Sequence, residues 1–138
     1  MESGAGAANH RTTQQRTGEA AERLVAERLR RRGWTILATN VHVGRSELDI
    51  VAVDPEPPPR LVVVEVRFRR TQAFGRAEDT FDFRKQANLR RGIGRLLEGG
   101  RLPDGRPLPA LPIALDLAVV DRDAGRVVVR LYRNALEA

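Results

Sequence analysis

The stretch Ser46–Phe68, SELDIVAVDPEPPPRLVVVEVRF, decides how this 138-residue chain is read. Its two halves are rich in β-branched residues and are separated by a proline-rich turn. They therefore predict two antiparallel strands, at about Glu47–Val53 and Leu61–Phe68. If Asp54 and Arg60 face each other across the turn, antiparallel counting sets Asp49 opposite Glu65 and Glu47 opposite Arg67. Side chains alternate along a strand, so these four charges would share one face with Val51, Val53, Leu61 and Val63. Charge on a partly apolar face needs a partner, because burying it unpaired is expensive.

A divalent cation held for work on phosphate would supply that partner. Magnesium takes oxygen ligands, commonly one or two carboxylates together with substrate phosphate. Asp49 and Glu65 are the candidate metal ligands, and the carbonyl of Val66 between the charged positions is a further one. Arg67 points to the same side and can meet the same phosphate. Spacing alone leaves open the alternative of a solvated sheet face carrying ordinary surface charge.

Working outward, Gly18–Arg32 predicts an amphipathic helix, with Ala21, Leu24, Val25 and Leu29 at helical spacing and Glu22, Arg23, Glu27, Arg30 and Arg31 on the wet faces. Gly33 stops it, and Trp34–Leu37 begins a short strand ending near Asn40. Beyond the central pair, Arg69–Asp79 reads as a polar loop containing Phe74-Gly75. A second helix follows from Thr80 or Asp82 to Glu98, with Leu89, Ile93, Leu96 and Leu97 on its buried face. Gly92 and Gly94 each weaken that helix by roughly 1 kcal/mol against alanine, so it depends on packing. Gly99–Pro112 reads as a surface loop, and Ile113–Val120 with Arg126–Tyr132 as a hairpin. The order is α-β-β-β-α-β-β, one α/β domain over 18–138 behind a disordered tail at 1–17.

The chain carries 24 basic and 18 acidic residues, a formal net charge of +6, which suits a polyanionic partner such as nucleic acid. All the basic residues are arginine except Lys85. There is no cysteine, which excludes disulfides and thiolate metal ligands. Apolar runs are too short for a membrane-spanning helix and no signal-peptide core is visible, so a cytoplasmic protein is expected. Three other residues have two readings each. Glu19 either joins the acidic site or simply favours a helix N-terminus, and Lys85 either reaches phosphate or is solvated. Asp116 is a third-strand contributor or a buried, hydrogen-bonded carboxylate, and His42 has no partner at ligand spacing.

These residues resemble a known family. Gly18-Glu19, Ala21, Ala26, Gly33-Trp34, Ile36-Leu37 and Asn40 lead into Glu47-Leu48-Asp49-Ile50-Val51-Ala52. Val64-Glu65-Val66-Arg67-Phe68-Arg69, Phe74-Gly75, Lys85, Leu115-Asp116-Leu117 and Asn134-Ala135 follow in the same order. Over about residues 16–136 the chain resembles the YraN-type family of small bacterial proteins. Those are similar to restriction-endonuclease-like and archaeal Holliday-junction-resolvase-like nucleases. The resemblance implies a mixed sheet flanked by helices and a site that uses Mg²⁺ or Mn²⁺, with Asp49 and Glu65 as ligands and Glu19 as the accessory first-helix glutamate. It further implies DNA as partner, branched or otherwise structured, with Lys85 and Arg69 on phosphate, and leaves room for a homodimer.

Two positions depart from the family pattern: Ser46 stands where a glycine is usual, and Arg67 where the Glu-x-Lys motif has lysine. An arginine keeps its proton, so Arg67 can stabilise charge but cannot serve as a base. The expectation is an endodeoxyribonuclease. A catalytically silent nucleic-acid-binding protein of the same fold and a protein-interaction adaptor are the alternatives.

Overall fold

The computed structural model describes residues 13–69 and 83–135. The expected order is present: α1 (Thr13–Arg31), β1 (Thr35–Val43), β2 (Ser46–Asp54), β3 (Arg60–Arg69), α2 (Phe83–Gly99), β4 (Ile113–Asp123) and β5 (Arg126–Tyr132). The five strands form one sheet in the order β1-β2-β3-β4-β5. Neighbours are antiparallel except β3 and β4, which run parallel, so the sheet is mixed. The segment carrying α2 returns the chain to the start of a parallel strand, a connection that a tight turn cannot make.

Each helix covers one face of the sheet. Ala21, Val25, Ala26 and Leu29 of α1, with Trp34, pack on Ile50, Ala52, Val62, Val64, Ala118 and Val120. On the other face, Leu89 and Leu96 of α2 pack with Val51, Leu61, Val63 and Leu115. The central strands are therefore apolar on both sides, which explains their continuous Val/Leu/Ile runs.

Several boundaries differ from the sequence reading. Helix α1 begins at Thr13 rather than Gly18, and β1 extends to Val43, where the two-residue turn Gly44-Arg45 leads into β2. Strand β4 runs on to Asp123, and the turn narrows to Ala124 and Gly125, both at positive φ. The Gly99–Pro112 segment is more than surface loop, since Leu102 is buried and Leu108 and Leu111 pack on the α2-side core. Residues 1–12 of the expected tail lie outside the described residues, as does the expected polar loop beyond Arg69.

Gly92 has a packing reason. A Cβ there would lie 2.7 Å from Ser46 Cβ, so α2 approaches the first residue of β2 closely. Ser46 Oγ fixes that contact by hydrogen bonding at Asn88 O (3.0 Å).

Candidate functional site

The β2–β3 ladder holds the expected register from Asp54↔Arg60 to Ile50↔Val64. It ends there, one pair short of Asp49 and Glu65. Beyond that point Asp49 Oδ2 accepts a hydrogen bond from the Val66 N–H at 2.8 Å, so a carboxylate takes the position a strand partner would otherwise fill. Asp49 is thus held by the backbone of the strand that carries Glu65.

The single shared face expected for the four charges is not what the fold builds. Leu48 and Val51 both pack in the α2-side cluster, whereas Ile50 and Ala52 pack on the α1 side. Strict alternation would put Leu48 with Ile50, so the strand changes face around Asp49. The irregularity has a visible counterpart in β1. Asn40 stands between the pairs Thr39↔Ile50 and Val41↔Leu48 with φ at 51°, a left-handed conformation asparagine tolerates better than most residues. Glu47 consequently belongs to the outer hairpin, paired with His42 in β1, rather than facing Arg67.

Asp49 sits at this junction between two further carboxyls. Glu22, on α1, lies against Asp49 and the side chain of Asn40. Glu65 meets Asp49 in the same way from β3. Carboxyls set this close repel one another when all are ionised, and the environment favours a retained proton. Burial first, then the negative charge of Asp49, pushes Glu65 up to about 8, against the opposing pull of Arg67 and Lys85. Burial and the charges of Asp49 and Glu47 push Glu22 up to about 7. Glu65 Oε1 is buried without a donor, while Oε2 lies 2.7 Å from Arg67 Nη1.

Of the residues expected from sequence, Asp49, Glu65 and Arg67 are brought together. Lys85 is near enough to act on Glu65 electrostatically, because it heads the helix stripe Leu89–Gly92–Leu96 that lies on the sheet. Glu19 lines a surface cleft with Glu22, Arg23, Thr39 and Asn40, one helical turn before the glutamate that touches Asp49. Arg69 lies on the buried carboxylate of Asp121, through Nε at 2.7 Å and Nη2 at 3.3 Å. Asp116 is the buried, hydrogen-bonded carboxylate of the two readings, bound by Arg60 and the Asn134 N–H. Sequence reasoning missed Glu22 by assigning it to the wet face. Its signal was its position four residues before buried Ala26 and seven before buried Leu29.

The donor set suits a hard cation: carboxylate oxygens, one of them buried without a hydrogen-bond donor. Glu22, Asp49 and Glu65 form a chain through Asp49, and among the described residues no three of His, Cys, Asp and Glu are set to close around an ion. A metal would therefore take Asp49 and Glu65 and complete its shell with water and phosphate oxygen, as magnesium commonly does.

Fold and site define a small α/β domain with an acidic cluster where two central strands part. The chain belongs to the uncharacterised protein family UPF0102, whose family model matches residues 21–120. It is 32% identical over 120 residues to a UPF0102 protein of Carboxydothermus hydrogenoformans, covering 87% of this chain and 94% of that one. A UPF0102 protein of Bifidobacterium longum subsp. infantis is 32% identical over 123 residues, 89% of this chain and 94% of that relative. Another, from Sorangium cellulosum, is 42% identical over 79 residues, 57% of this chain and 53% of its own length. Among the described residues no helix is long and apolar enough to cross a membrane.

Proposed function

We propose that this protein is a metal-dependent endonuclease that hydrolyses phosphodiester bonds in DNA, branched or structured DNA being the favoured substrate. The observation that carries the reading is Asp49, locked on the Val66 N–H while its carboxyl borders that of Glu65 with its donorless buried oxygen. Asp49 and Glu65 would hold Mg²⁺ or Mn²⁺, which when bound supplies neutralisation of the phosphate and activation of the attacking water. Glu22 borders the same carboxylates and holds or releases a proton near neutral pH, the property a general base needs. Arg67 supplies a fixed positive charge for the developing negative charge on phosphate. Lys85 and the other exposed basic side chains would attract the DNA backbone, in keeping with the formal net charge of +6.

The test is cleavage of labelled linear and four-way-junction DNA with Mg²⁺ or Mn²⁺. Asp49→Asn and Glu65→Gln are each expected to lower the rate on the order of a hundredfold or more while leaving the circular dichroism spectrum intact. Full activity in either variant would overturn the reading. A second reading, a silent DNA-binding protein, is favoured by the ion pair in which Arg67 occupies Glu65 Oε2. It requires salt-sensitive DNA binding without cleavage in any divalent metal.

A further inference from the structure

Arg67 reaches back along β3 to the glutamate two residues before it, with Nη1 2.7 Å from Glu65 Oε2. Both side chains are largely withdrawn from water, Glu65 at 7% and Arg67 at 18% exposure. Once ionised, as a metal ligand must be, a carboxylate in such a place needs a positive partner, and in this arrangement the guanidinium provides it. The same carboxylate is one of the two that a divalent cation would use, because Glu65 and Asp49 meet where β2 leaves β3. A metal ion at that point and a guanidinium on the same glutamate would be like charges at close range, in a region that water screens poorly. Lys85, already close enough to influence Glu65, adds to the repulsion.

We propose that Arg67 is a resident cation which a divalent metal must displace from Glu65, and that the displaced guanidinium then takes a phosphate oxygen of the nucleic acid. The proposal rests on the reading of Asp49 and Glu65 as metal carboxylates. Arg67 suits the second position as well as the first. It is less buried than Glu65, it stays charged, and its planar fork matches phosphate geometry. Metal alone has to release the Glu65 proton and move the guanidinium aside, and DNA alone has to draw Arg67 away from Glu65. Each ligand removes the obstacle to the other, so the two bind cooperatively, and linkage makes the effect reciprocal.

Isothermal titration of Mn²⁺ into the full-length chain tests this, with the wild type compared with Arg67→Ala and Arg67→Gln. The glutamine variant keeps more of the side-chain packing should the alanine variant unfold, and far-UV circular dichroism verifies both. Loss of the resident cation is expected to tighten Mn²⁺ binding on the order of tenfold. A short DNA duplex is expected to strengthen Mn²⁺ binding to the wild type and to have no such effect on the variants. A purely supporting role for Arg67 predicts the opposite, weaker metal binding once Glu65 loses its partner. Equal or weaker Mn²⁺ binding in the variants overturns the proposal and leaves the metal reading of the site standing. Absence of Mn²⁺ binding from all three proteins overturns that reading, and the proposal with it.

Discussion

Glu65 carries a carboxyl that burial and Asp49 keep protonated to about 8, far above its ordinary value, and this couples folding to pH. Between about 4.5 and 8 the folded chain holds a proton there that the unfolded chain releases. Stability without metal is therefore full below the unfolded value and falls as pH rises through the folded one. The limiting slope for one proton is about 1.4 kcal/mol per pH unit. Urea unfolding in metal-free buffer at pH 6, 7 and 8 should show stability declining with pH. Glu65→Gln, which keeps a neutral side chain at every pH, should be flatter and more stable than the wild type at pH 8. Some slope should survive below pH 7, because Glu22 titrates there too. A wild-type stability that rises from pH 6 to 8 would contradict the arrangement of carboxyls described above.

At the scale of elements, α2 and β2 are matched through Gly92. The Cβ of an alanine would meet Ser46 Cβ at 2.7 Å, a distance that forces the helix or the strand to move. Overpacking of this kind costs about 1–3 kcal/mol, more than the roughly 1 kcal/mol that alanine gains in helix propensity. Gly92→Ala should therefore destabilise the protein in thermal or urea unfolding. Gly94→Ala, where a Cβ meets nothing within 4 Å, should stabilise it by about 0.5–1 kcal/mol. Equal effects at the two positions would show that the contact with Ser46 is yielding. The sequence revealed both glycines as weak points but gave no ground to tell them apart, because the difference lies in a neighbour 46 residues upstream of Gly92. The same division runs through the rest of the fold. The Val-rich runs and the Asp54–Arg60 anchor made the central strands and five rungs of their register legible. The change of face at Asp49 was not legible, since it depends on the backbone of Asn40 in another strand and on a helix supplying Glu22. Alternation is a local rule, and the site forms where tertiary packing interrupts it.

Across the whole molecule, the acidic site is separated from a second charged assembly at the start of β3. Arg60 Nη2 lies 3.0 Å from Asp54 Oδ2 and 3.2 Å from Asp116 Oδ2. Arg133 also binds Asp54, and the Asn134 N–H donates to Asp116 Oδ1 at 3.0 Å. The Arg60 guanidinium thus ties the end of β2 to β4, while Arg133 and the Asn134 N–H bring in the segment following β5. Burial opposes ionisation of Asp54, but the Glu56 N–H and the two arginines outweigh it and hold the carboxyl below its ordinary value. A depressed carboxyl contributes stability that is present above the unfolded value and lost as pH falls through the folded one. Arg60→Met leaves two buried carboxylates short of a cation and should cost about 3–5 kcal/mol, with acid unfolding beginning at higher pH. Arg60 is five residues from Glu65 along one strand, roughly 16 Å, so this loss should add independently to that of a site variant. Urea unfolding at pH 7 and an acid titration followed by circular dichroism would measure both effects. A loss below about 1 kcal/mol would mean that Arg133 and the backbone donors suffice to hold Asp54 and Asp116 in place.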